Sequence, residues 1–131
     1  MREILFKAKR IDNDEWLEGL VTRIENTFCL IREYGSNISY ECDVNTLCQY
    51  TGLTDKNGNK IWENDLIECK EISYGQLIKH FLSQVEWDDV STGFTFKDNQ
   101  FSWVFMDSLT VYECEVIGNI FDNPELLKGS E

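Results

Sequence analysis

The chain of 131 residues has one proline, one histidine and no Cys-x-x-Cys pair. It also lacks any apolar run near the roughly 20 residues that cross a bilayer as a helix. Each scarcity excludes something. A lone imidazole, His80, denies zinc a cluster of imidazole and thiolate ligands and leaves a Cys-His nucleophile pair a single candidate base. The opening Met1-Arg2-Glu3-Ile4 has no signal-peptide core, so no membrane association is expected and the cytosol is the expected compartment. There the five cysteines, Cys29, Cys42, Cys48, Cys69 and Cys114, are expected to be reduced thiols at small core or surface positions. No phosphate-cradling glycine loop, Gly-x-Ser-x-Gly elbow or dinucleotide fingerprint occurs, so no catalytic residue and no cofactor are expected. The run Asp55-Lys56-Asn57-Gly58-Asn59-Lys60 places lysines where a calcium loop needs oxygen ligands, and it reads as a turn rather than an EF-hand.

Basic residues are scarce as well. Twelve Lys and Arg face twenty-four Asp and Glu, a formal net charge of −12. This argues against a binder of phosphate backbones, which needs clustered cations. The exception is the first ten residues, where Arg2, Lys7, Lys9 and Arg10 face only Glu3. What the chain has in quantity is apolar and aromatic surface, with 42% hydrophobic residues and four tryptophans, enough for a packed core despite the charge. Trp16, Trp62, Trp87 and Trp103 are read mainly as core rings, with base stacking as the weaker alternative.

Alternation of apolar and polar residues recurs along the chain, the mark of half-buried strands. Ile4, Phe6 and Ala8 begin it. Residues 16–24 and 27–33 flank the polar pair Glu25-Asn26 and read as a hairpin, with Leu20, Ile24, Phe28 and Leu30 as candidate core residues. Ile38, Tyr40 and Cys42 form another short strand. Asn57-Gly58 predicts a tight primed turn, and Glu63-Asn64-Asp65 a second turn in which Asn64 takes positive φ. Residues 72–82 fit either a helical stripe or a hairpin arm, and the strand reading is preferred. Val85 and Trp87 followed by Phe94 and Phe96 read as a further hairpin, and residues 101–106 as buried. The last long strand is placed at about 110–121, followed by a short C-terminal helix with Asn123 as its cap and Pro124 at its first position. The sum is a mainly β chain forming a small barrel or sandwich-like body. No linker divides it, so one domain is read over 1–131, with a split into two β lobes at about residue 60 left open.

The segments 1–4, Lys9-Arg10-Ile11-Asp12-Asn13 with Glu15-Trp16 and Glu18-Gly19, and above all Gln49-Tyr50-Thr51-Gly52-Leu53-Thr54-Asp55-Lys56-Asn57-Gly58 make the chain similar to the YopX family of phages and prophages. The run continues as Lys60-Ile61-Trp62-Glu63-Asn64-Asp65-Leu66-Ile67, and 116–127 resembles the family's closing signature. Asn64 departs from the commoner glycine at that place, and about 71–105 match only loosely. The resemblance implies a β-rich phage protein of no assigned activity. The stretch 63–67 with Val85-Glu86-Trp87 also looks like part of an SH3-like barrel, by analogy alone.

These readings converge on a non-enzymatic accessory protein whose partner is a host or phage protein. The alternatives are a nucleic-acid mimic or nucleic-acid-associated module, and an enzyme of unrecognised type. The candidate interaction residues are Gln49, Tyr50, Thr51, Gly52, Asp55, Asn57, Gly58, Trp62, Asn64 and Asp65, competing with the simpler view that the loop serves backbone geometry. A homo-oligomer stays open.

Overall fold

In a computed structural model of the protein, residues 4–88, 93–97, 103–105 and 112–128 are described. The chain divides into two compact units, Met1–Gly52 and Leu53–Glu131.

In the first unit β1 (Phe6–Lys9), β2 (Trp16–Ile24), β3 (Phe28–Arg32), β4 (Ser39–Asp43) and the start of β5 (Cys48–Thr54) lie in the order β4-β3-β2-β1-β5. Neighbours are antiparallel. The hairpin predicted at 16–33 is present, but with its inward face shifted. Cys29 and Ile31 are buried, Leu20, Phe28 and Leu30 are half-buried, and Ile24 is 61% exposed. Both faces of β3 carry apolar residues, so alternation alone does not choose between them, and a register shift between Val21 and Arg23 turns the end of β2 outward. Ile4 and Ile38, also expected inward, are exposed. The core is Ala8, Leu17, Cys29, Ile31 and Cys42, with Val21, Tyr40, Val44 and Leu47 against it. Gly19 is required where it stands, because a Cβ there would collide with the Arg32 carbonyl.

In the second unit the end of β5 turns back into β6 (Lys60–Trp62). The main sheet has β7 (Asp65–Ser73), β8 (Gln76–Asp88), β9 (Gly93–Lys97), β10 (Trp103–Phe105) and β11 (Tyr112–Asn119) in the order β10-β9-β8-β7-β11, again antiparallel. Ile61, Ile67, Cys69, Phe81, Val85 and Cys114 form its core, with Leu53 and Val116 packed on them. The ambiguous residues 72–82 are a hairpin arm, strand on either side of the turn Tyr74-Gly75, and β7 and β8 make one long hairpin.

Three expectations are corrected. No barrel, SH3-like or other, closes among the described residues. The sheets are open, because closure requires the first and last strands to pair and the alternating pattern is the same whether they do or not. The expected C-terminal helix is not supported as a helix. Among the described residues a single turn, α1 (Glu125–Lys128), follows Pro124, and four residues cannot sustain a helix by themselves. The primed turn is not at Asn57-Gly58, where only Gly58 has positive φ. It occurs instead at Tyr74-Gly75, where both residues do. The expectations for residues 101–102, 106 and 110–111 lie outside the described residues, as do the side chains of Phe94, Phe96 and Trp103.

Candidate functional site

The signature loop falls into segments with different duties. In the first unit Gln49 lies opposite Phe6, the Tyr50 amide donates to the Leu5 carbonyl at 2.8 Å, and the Tyr50 and Thr51 side chains are buried. Gly52 is exposed at φ 88°, a conformation open to glycine with little strain.

In the second unit Asp55 organises the turn. Its Oδ1 accepts from the amides of Asn57 and Asn59, each at 2.9 Å, and its Oδ2 accepts from the Val116 amide at 3.0 Å and from Asn59 Nδ2 at 3.4 Å. Burial works to raise this carboxyl, and the amides of Val116, Asn59 and Asn57 outweigh it, holding Asp55 below the ordinary aspartate range. The Lys56 amide donates to the Cys114 carbonyl at 3.1 Å, and Asn57 Nδ2 reaches Glu115 Oε1 at 2.9 Å. The turn therefore covers the outer edge of β11, satisfying backbone groups that an edge strand would otherwise expose. Lys56, Asn57, Gly58, Asn59 and Lys60 remain on its surface.

The next turn is built likewise. Asp65, 3% exposed, accepts from the Trp62 amide through Oδ2 at 2.8 Å, and Trp62 is itself buried. Asn64 has φ 71°, as its place in the turn predicted. Its amide donates to the Val85 carbonyl, its carbonyl accepts from Ile120, and its Oδ1 accepts from Gln84 Nε2 at 3.2 Å. In the closing signature Asn119 Oδ1 accepts from the amides of Phe121 and Asp122, while Asn123 Oδ1 receives the Asn119 amide. A Cβ on Gly118 would come within 2.5 Å of that Asn123 oxygen. The side chains of Asp55, Asp65, Asn119 and Asn123 thus accept from backbone amides inside the second unit.

The other constellations separate. Cys69 lies opposite Phe81 and His80 opposite Lys70, so the imidazole and the Cys69 thiol project from opposite faces of the ladder. His80 instead sits 3.6 Å from Glu68 Oε1 in an exposed pair. No group of three or more metal-ligating side chains gathers among the described residues. Of the early bases, Lys7 and Lys9 lie over the Trp16 ring at 4.5 and 5.5 Å, and Arg10 stacks on Tyr40 at 4.1 Å. Lys9 also faces Asp14 at 3.8 Å and Arg10 binds Asp12 at 2.6 Å.

One surface escaped the sequence reading. At the tip of the β7–β8 hairpin Tyr74 is fully exposed at φ 52°, next to Gly75 at φ 76°, with Leu77 60% exposed beside it. A primed turn favours Asn-Gly, and a bulky residue with a left-handed backbone is strained. The signal was there in Tyr74-Gly75 between Ile72 and Leu77. The competing helical spacing of Leu77, Ile78, Phe81 and Leu82 obscured it.

The chain is similar over 97% of its length, and over 99% of the other, to a protein whose structure is described as the crystal structure of protein EF1440 from Enterococcus faecalis, with 24% identity and a TM-score of 0.61. That likeness shows the shared fold. Comparison with curated proteins gives no match. The YopX protein family matches residues 6–128, nearly the whole chain. The protein belongs to the YopX family.

Proposed function

We propose that this YopX-family chain is a non-enzymatic phage or prophage accessory protein that works in the bacterial cytoplasm by binding a host or phage protein. The contact is the tip of the β7–β8 hairpin. The observation that carries the reading is Tyr74, an aromatic side chain held in full solvent exposure by a strained backbone. Strain at a position where Asn or Gly would relieve it points to a requirement for the ring itself. Tyrosine is enriched at the energetic centres of protein interfaces, and Leu77 adds apolar area beside it. The partner is a protein with an apolar pocket rimmed by basic residues, complementary to a chain of net charge −12.

The alternative of nucleic-acid binding draws on the basic N-terminal segment, and there Lys7, Lys9 and Arg10 are already stacked on rings or paired with Asp12 and Asp14. The signature loop enters the reading as scaffold. The turn at Asp55 covers the β11 edge, and Asn64 joins β7 to β8 and to the segment after β11.

The test is affinity capture from host lysate, made with and without phage infection, using tagged wild type, Tyr74→Asn and Glu41→Gln in parallel. Asparagine suits the primed turn, so the hairpin is kept while the ring is lost. A protein captured by wild type and by Glu41→Gln, and lost with Tyr74→Asn, supports the proposal. Equal capture by all three, or stable binding to random-sequence DNA or RNA at physiological salt in a mobility-shift titration, contradicts it.

A further inference from the structure

Two of the five cysteines meet. Cys69 on β7 and Cys114 on β11 are direct cross-strand partners, both are buried, and their sulfurs lie 2.6 Å apart. The ladder explains the approach. The Cys114 carbonyl accepts from Lys56 and the Val116 amide donates to Asp55, so the backbone groups of these residues point away from β7. Cys69 and Cys114 therefore form a non-hydrogen-bonded pair. This is the pair type with the closer Cα atoms, at about 4.5 Å, inside the range that a disulfide spans.

The first unit holds an internal contrast. Cys29 and Cys42 are also direct partners, on β3 and β4, and both are buried. The Glu41 carbonyl accepts from the Ile11 amide and so faces away from β3, which by alternation makes Cys29 and Cys42 the wider, hydrogen-bonded pair type. Cys42 Sγ turns to the Tyr40 carbonyl at 3.6 Å, and Cys48 Sγ to the Thr46 carbonyl at 3.2 Å. Equal burial and equal register thus accompany two pair types, the closer one bringing the sulfurs of Cys69 and Cys114 together.

We infer that Cys69 and Cys114 form a reversible redox site that a small peroxide closes to a cross-strand disulfide, fixing edge strand β11 to β7. One thiolate attacks a peroxide oxygen, the O–O bond breaks, and a sulfenic acid forms with release of water. The partner sulfur then attacks the sulfenic sulfur and expels its oxygen as a second water. The two thiols lose two electrons, and their two protons leave in the waters. A low-molecular-weight dithiol reverses the reaction. The hydrogen bond with Cys114, together with burial, pushes the Cys69 thiol up, so the closure is slow and takes excess peroxide.

The full chain, purified under reductant and exchanged into anaerobic buffer, is treated with hydrogen peroxide and then blocked with an alkylating agent in denaturant. The expected product is a monomer lighter by two hydrogens with three alkylated thiols instead of five, and a non-reduced digest that joins the peptides of Cys69 and Cys114. Its midpoint of thermal unfolding rises by roughly 10 °C and returns with dithiol. Five free thiols after treatment, stepwise oxygen addition without a crosslink, a Cys29–Cys42 product in equal yield, or covalent dimers would overturn the inference. The isosteric variant Cys114→Ser should keep four free thiols through the same treatment. Should that variant not fold, the wild-type digest decides by itself.

Discussion

Removing the Asp55 carboxylate tests how the signature turn is held. Its two oxygens receive three backbone amides and one side-chain amide, and the chain between them runs from the turn at 55–59 to Val116 on β11. Hydrogen bonds to a charged group contribute about 1.5 to 3 kcal/mol each when buried, but Asn57 and Asn59 sit in an exposed turn where water can replace the acceptor. The half-buried Val116 amide has no such substitute, so Asp55→Ala should cost about 3 kcal/mol. Asp55→Asn keeps one acceptor oxygen but turns an NH2 toward an amide donor, and should cost about 2 kcal/mol. The pH dependence has a definite sign. The folded-state pKa of Asp55 is depressed, so its contribution is present above the unfolded-state pKa and fades as pH falls through the folded one. Urea titrations of wild type and Asp55→Asn at a series of pH values isolate this group, because the remaining acids are common to both. The gap should be widest at pH 7 and narrow as pH drops below about 4. A variant as stable as wild type at pH 7, or a gap that holds or widens in acid, would show that the Asp55 carboxylate does not hold the turn.

Asn64→Gly relieves left-handed strain but forfeits the bond from Gln84, so chemical denaturation should place it within about 1 kcal/mol of wild type, whereas Asn64→Val should lose about 2 to 3 kcal/mol. Ser83 is buried with an unpartnered hydroxyl, and Ser83→Ala should be neutral or stabilising by up to about 1 kcal/mol in the same assay. Tyr74→Asn should raise stability by about 1 kcal/mol while abolishing partner capture, a split that a purely structural role for the ring would not produce. Once a partner is in hand, stopped-flow association should slow as salt increases while dissociation changes little, since net charge governs encounter and the Tyr74 ring, covered on binding, governs residence.

Strand positions were legible where alternation coincides with a half-buried strand, as at Leu17, Glu18 and Gly19 in β2. The phase was not legible in β3, where Phe28, Leu30 and the pair Cys29, Ile31 are apolar on both faces. Packing decides there, and the bulge at Val21 to Arg23 has no compositional signature. Positive φ at Asn64 could be read from residue type and its place between two elements. The shift of the primed turn from Asn57-Gly58 to Tyr74-Gly75 could not. Asp55 is bound to Val116, 61 residues away, and its side chain imposes a different turn geometry. Closure into a barrel was misread for a related reason, since pairing of distant strand edges leaves no local trace. The meeting of Cys69 with Cys114 depends on the same long-range register.

Contact between the hairpin tip and a protein can be trapped by placing a photoreactive phenylalanine analogue at position 74 and, as a control, at exposed position 41, and irradiating each chain in host cells with and without phage. Contact at the tip gives a discrete crosslinked polypeptide from position 74 and none from position 41. Crosslinks to nucleic acid from position 74, or the same polypeptides at equal yield from both positions, would contradict it.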